Sequence, residues 1–284
     1  MIAEGVVALP ENVLYNLIYA LFFGFTEFLG VDATAHQRLF ELLTAQKQTD
    51  ALLAFAMHFG SLAALLAGCW GKLRRILRER HYTIRSRRLK RPPDPMAQLD
   101  LKLLRTAMLP LVLSLLLLRK SSRLITGFSS LALFLLINGL VLFIPRLLNS
   151  GNKDGRSVSR LDSIVIGLGG CFGVVPGISR IGCLLTAGAV SGLDRSYALD
   201  IAFLLSVPVM IGLLVLDVIA VITTSISITF ITVMVYLLYA IASFIGGWLA
   251  MVMMRYLAMK IGFTHFAYYS LGLALFAFIF YLVI

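Results

Sequence analysis

Nine apolar runs divide this sequence, at residues 13–29, 51–71, 103–118, 127–148, 163–175, 182–193, 198–222, 228–251 and 265–284. A helix needs about 20 such residues to cross the hydrocarbon of a bilayer. The runs at 51–71, 127–148, 198–222, 228–251 and 265–284 meet that length, and 103–118 can cross if its polar flanks snorkel. Only 14% of the 284 residues are charged, against about 25% in soluble domains. A chain so poor in charge cannot clothe a surface in water. The expected fold class is therefore an all-α integral membrane protein, and cytosolic enzymes, secreted disulfide scaffolds and DNA-binding domains are excluded.

The formal net charge of +11 does not point to nucleic acid, because the basic residues are clustered between spans. Lys72–Arg91 alone holds ten Lys or Arg. Such a block reads as part of a cytoplasmic loop, 72–102, under the positive-inside rule, with contact to anionic lipid as its further use. Cys69, Cys171 and Cys183 all lie in apolar segments at spacings that suit neither zinc nor a disulfide, and read as packing residues. The first basic residue is Arg38, so no positively charged start of a secretory signal is expected.

Two of the runs are broken. The first meets Glu27 and then Gly30-Val31-Asp32, and the 163–193 stretch meets Pro176-Gly177 and then Ser179-Arg180. Each broken segment precedes three ordinary spans, and three crossings carry the second half to the opposite face. Broken segments at matching places point to an inverted repeat with a midplane site between its halves. The expectation is one polytopic domain, 1–284, with halves of about 1–150 and 160–284, each a re-entrant helix pair followed by three transmembrane helices. Loops 72–102, 146–162 and 252–264 then share one side, with Arg146, Lys153, Arg156, Arg160, Arg255 and Lys260. The other side receives Glu4, Glu11, Lys47 and the uncharged 222–228 turn, while Arg119, Lys120 and Arg123 break the pattern. The bias places both termini outside and the basic loops in the cytoplasm.

An ionisable group within a span is a site hypothesis by default. Glu27 and His36 are nine residues apart, on opposite faces of a continuous helix. A break near Gly30 would turn both toward one cavity, with Asp32 capping the second short helix. Glu27 also suits an ion pair with Arg180, and His36 a place on a helix surface. In the second break, Ser179 can cap a helix whose first turn holds Arg180. Free N–H groups, a positive dipole end and a guanidinium fork at one spot suit a phosphate. The carboxylate suits a hard divalent cation and the imidazole suits proton transfer. The sparse charge elsewhere suits a ligand with an apolar tail. His58 and His265, in or at the edge of spans, read as packing or interface residues unless they approach Arg180.

At these motifs the chain resembles the undecaprenyl-diphosphate phosphatase, or bacitracin-resistance, family. The likeness is carried by Thr26-Glu27-Phe28-Leu29 with His36, Gly60-Ser61, Pro176-Gly177-x-Ser179-Arg180, Gly192-x-x-Arg195, Phe203–Pro208 and Phe266-Ala267-x-Tyr269. It implies removal of the terminal phosphate from a polyprenyl diphosphate in the bacterial plasma membrane, an inverted-repeat fold, and dependence on Mg²⁺ or Ca²⁺. On this basis Glu27, His36, Ser179 and Arg180 are the expected catalytic residues. Ser179, Arg180 and Thr34 are expected to bind phosphate, and Glu27 with Asp32 to hold the metal. The expected partners are the polyprenyl (di)phosphate lipid and the bilayer, with a homodimer admitted. Phe23, Gly30, Asp32, Ala33, Ile181, Leu184 and Ser270 depart from the family pattern. A carrier or flippase for lipid phosphate, keeping Arg180 but lacking turnover, is the alternative those departures raise. A small-molecule transporter using the same site is a third.

Overall fold

The structure, a computed structural model, describes residues 13–44, 50–90, 95–114, 124–148, 151–224, 229–260 and 262–283. Glu4, Glu11, Lys47, Arg119, Lys120 and Arg123, used above for topology, lie outside them. The described residues form ten α-helices: α1 (Val13–Glu27), α2 (Ala33–Thr44), α3 (Ala51–Arg88), α4 (Pro95–Ser114), α5 (Phe128–Phe143), α6 (Arg160–Phe172), α7 (Arg180–Val190), α8 (Arg195–Thr223), α9 (Phe230–Lys260) and α10 (Thr264–Val283). A 3₁₀ turn at Ile144–Leu147 extends α5.

Five of these stretches are long and apolar enough to span a membrane: Ala51–Ser86, Phe128–Leu147, Arg195–Thr223, Phe230–Lys260 and Thr264–Val283. The protein is an all-α, multi-pass membrane protein. The 103–118 run, expected as a sixth span, lies in α4 as far as Ser114, and its last residues fall outside the described ones. The 72–102 segment, expected as a loop, is instead helical through Arg88 and again from Pro95. The reason is local. From Lys72 to Arg91 the chain holds no Gly or Pro, and its Lys, Arg, Leu and Glu are good helix formers. At about 1.5 Å per residue α3 is about 57 Å long, well over the roughly 30 Å of hydrocarbon, so its basic end projects past the apolar layer.

Both broken runs fold as helical hairpins, α1–α2 and α6–α7. Helix α1 lies along α9, and α6 lies along α4. Helix α3 packs on α8 and α5 on α10, while α9 packs on α3 and α4 on α8. Exchanging α1–α5 for α6–α10 in order maps these contacts onto one another. The closest approaches are made by glycines. A Cβ on Gly24 of α1 would sit 2.0 Å from the Ser243 carbonyl oxygen of α9, and one on Gly246 of α9 would sit 2.0 Å from that of Leu21 on α1. Gly167 of α6 faces the Ala107 carbonyl of α4 in the same manner, at 2.5 Å. Between apolar helices in lipid, such small residues supply the van der Waals contact that hydrophobicity cannot.

Because both crowding atoms are backbone, Gly246→Val should force α1 off α9 and move Glu27 at its end. We expect a loss of about 1–3 kcal/mol or more, read as a lower unfolding midpoint in detergent, whereas Gly272→Ala, with open space at its Cβ, should change it little.

Candidate functional site

The two hairpin tips meet. Helix α1 stops at Glu27, and the chain turns through Gly30 to Asp32, which opens α2. The Asp32 Oδ2 accepts hydrogen bonds from the Ala35 N–H at 2.7 Å and from the Thr34 hydroxyl. It also accepts the Gly177 N–H of the other tip, at 2.7 Å. That second tip turns at Pro176-Gly177, where the Ile178 N–H bonds the Val175 carbonyl at 3.0 Å. Gly177 has φ +93°, the position of such a turn that needs glycine.

Ser179 caps α7 by accepting the Gly182 N–H at 3.1 Å, and its hydroxyl donates to the Leu29 carbonyl of the first tip at 3.1 Å. The Ser179 N–H donates to Asn138 Oδ1 at 2.8 Å. Asn138, fully buried in α5, gives its amide hydrogens to Ser270 Oγ at 2.8 Å and to the Gly30 carbonyl at 3.4 Å. One asparagine thus binds both tips to α10.

Between the tips and α8 lies a cavity of about 460 Å³, lined by Glu27, Asp32, Thr34, His58, Arg180 and Asp217 among others. Arg180 Nη2 donates to Glu27 Oε1 at 2.6 Å and approaches Met210 Sδ at 3.2 Å, while its Nε reaches Ser206 Oγ at 3.4 Å. Only 9% of the Arg180 and 11% of the Glu27 side chain are exposed. On the wall of the same cavity His58 Nδ1 stands 2.6 Å from Asp217 Oδ2. The Phe23 ring lies edge-on to the His58 ring, with centroids 5.3 Å apart.

Glu27, Asp32, Thr34 and Arg180 therefore face one space. His36 does not join them. It is buried behind the first tip, where Nδ1 bonds the Asp32 carbonyl at 2.6 Å and Nε2 bonds the Tyr269 hydroxyl of α10 at 2.8 Å. Both ring nitrogens are engaged in holding the start of α2, because the break before Asp32 begins a new helix whose His36 face turns toward α10. Ser179 also does not line the cavity, since its hydroxyl is spent on the cap and on Leu29.

The substituted positions have definite places. Ile181 and Leu184 are buried in the main apolar cluster and do not line the cavity. Ser270 meets Asn138. His265 is exposed, and the cysteines are free, with Cys69 and Cys183 buried. Sequence reading passed over Asn138 and Asp217, and set His58 aside. Each is a polar residue inside a spanning run, and the rule that such residues mark sites would have found all three.

Among the described residues no three His, Cys, Asp or Glu side chains gather closely enough to enclose a metal ion. The donor set still suits a hard cation shared with a ligand. Glu27 Oε2 and Asp32 Oδ1 make no hydrogen bond among the described residues, and Mg²⁺ characteristically takes one or two carboxylates together with phosphate oxygens.

Over residues 16–276 the chain matches the family described as Bacitracin resistance protein BacA. Two relatives named Undecaprenyl-diphosphatase run nearly end to end with it. The one from Carboxydothermus hydrogenoformans is 27% identical over 258 residues, 91% of this chain and 93% of its own. That from Thermosipho africanus is 27% identical over 266 residues, 93% and 98% of the two chains. A third of that name, from Methanobrevibacter smithii, is 35% identical over 138 residues, about half of each chain (49% and 48%).

Asn138→Leu removes the acceptor of the Ser179 N–H and a donor to Ser270 and Gly30, all in a water-poor interior. The expected cost is about 1–3 kcal/mol, seen as a lower unfolding midpoint in detergent.

Proposed function

The chain belongs to the bacitracin resistance protein BacA family, and from that premise we propose that it is an undecaprenyl-diphosphate phosphatase. It removes the terminal phosphate of a polyprenyl diphosphate and returns the monophosphate carrier lipid for cell-wall synthesis. The observation that carries this reading is Arg180, paired with Glu27 at the meeting point of two hairpin tips inside an apolar protein. A guanidinium held there suits an anionic headgroup, and the surrounding apolar helices suit its prenyl tail.

Arg180 keeps Nη1 free of protein partners among the described residues, so it can take phosphate oxygens without first leaving Glu27. It stands in the first turn of α7, where the helix dipole also favours an anion. Thr34 and the cap at Asp32 line the approach. Three carboxylates, Glu27, Asp32 and Asp217, share the cavity with this one guanidinium. Like charges about 4 Å apart repel by about 4 kcal/mol at an effective dielectric of 20, so a diphosphate entering alone would be opposed. This balance supports a Mg²⁺ or Ca²⁺ requirement, with Glu27 and Asp32 as the protein ligands. When bound, the cation would neutralise charge on the transferring phosphoryl group.

The location that follows is the bacterial plasma membrane. The halves would be inverted repeats, with the basic ends of α3 and α9 in the cytoplasm; the reciprocal packing of the two sets of five helices and the clustering of Lys and Arg support that orientation.

Purified protein in detergent, given farnesyl or undecaprenyl diphosphate with Mg²⁺ or Ca²⁺, should release inorganic phosphate, and a chelator should stop it. Arg180→Ala and Glu27→Ala should each lower the rate by about 10²–10³-fold. No release by the wild type, with lipid monophosphate still crossing vesicles that contain it, would replace hydrolysis by carriage.

A further inference from the structure

We propose that His58, oriented by Asp217, is the proton-transfer group of this cavity, taking the proton from the water that attacks the terminal phosphorus. The inference rests on the phosphatase reading above and deepens it. It starts from the second pair of titratable side chains on the cavity wall, which the binding of phosphate by Arg180 leaves unused.

Three observations converge. First, His58 and Asp217 come from different spans, α3 and α8, and meet at 2.6 Å on the wall of the space that holds Glu27 and Arg180. Second, the bond engages Nδ1, which fixes that nitrogen as the donor to the carboxylate and leaves Nε2 as the basic one. No hydrogen bond from Nε2 exists among the described residues, and the side chain keeps 15% of its surface open. His36, by contrast, has both nitrogens committed. Third, a purely structural tie does not need ionisable groups. One turn along α3, Ser61 joins α9 through Ser243 at 2.9 Å with neutral hydroxyls, whereas an acid and an imidazole within a span are costly unless they work.

Phe23 completes the arrangement. Its ring stands edge-on to the imidazole and gives it an apolar wall on that side, while Asp217 is the acid bonded to it. The other charged or titratable groups on the same cavity are Glu27 from α1, Asp32 at the start of α2 and Arg180 from α7.

The step balances with water as the co-reactant. The water oxygen forms a bond to the terminal phosphorus while one of its protons passes to His58 Nε2. The bond from that phosphorus to the bridging oxygen breaks, and its electron pair leaves with the lipid monophosphate. Inorganic phosphate is released, and the imidazolium returns its proton to the leaving oxygen or to water. Asp217 acts through His58 and is a positioning residue; it holds the tautomer and stabilises the imidazolium.

The test is phosphate release from farnesyl diphosphate by the full chain in detergent, measured across pH. His58→Gln should lower kcat by about 10²-fold or more, change KM by less than about threefold, and lose the fall in activity on the acid side that protonation of a general base causes. Asp217→Ala should lower kcat, with Asp217→Glu recovering part of it, and His58→Ala should regain activity when imidazole is added. A wild type that hydrolyses while His58→Gln keeps both its kcat and its acid-side fall overturns this proposal and spares the phosphatase reading. A wild type that releases no phosphate overturns both. Should His58→Gln not fold, a wild-type kcat/KM that is flat between about pH 5 and 8 overturns the role of His58 by itself.

Discussion

Inside hydrocarbon no water is at hand to satisfy an interrupted backbone, so every break in a helix must find its partners within the protein. Among the described residues two hairpin tips meet, and each supplies what the other lacks. The free N–H of Gly177 goes to Asp32, the carbonyl of Leu29 takes the Ser179 hydroxyl, and Asn138 serves Gly30 and Ser179 together. Neither tip satisfies these groups by itself. The clasp between them therefore forms one wall of the cavity that Glu27, Asp32 and Arg180 line.

Close helix contact makes the clasp reachable. Gly24 and Gly246 let α1 and α9 touch backbone to backbone, three residues before Glu27, and Gly167 does the same for α6 and α4. Rigid helices seated at that distance deliver Glu27 and Arg180 to within 2.6 Å of each other. The charge inventory that results is lopsided, with three carboxylates to one guanidinium. Glu27 is paired with Arg180 and Asp217 with His58, while Asp32 serves the two tips.

Much of the fold was legible in the sequence because its determinants are local. Runs of apolar residues set the spans at α3, α5, α8, α9 and α10, Pro176-Gly177 set the second turn, and Ser179 set the start of α7. Arg180 was legible as well, since long apolar runs on both sides leave it no route to water. The basic segment after Lys72 misled, because charge pattern reports which side of a membrane a segment occupies and says little about whether it is helical.

What the sequence by itself determined is an all-α membrane protein with two interrupted segments and a guanidinium at one of them. The tertiary structure decided which side chains share that guanidinium's cavity. His36 lies nine positions from Glu27 yet faces α10, while His58 and Asp217, 159 positions apart, stand together on the wall of the cavity that Arg180 also lines. The physical reason is that a helix break re-aims every residue after it, and contact between distant spans depends on how their helices pack, neither of which is written in spacing along the chain.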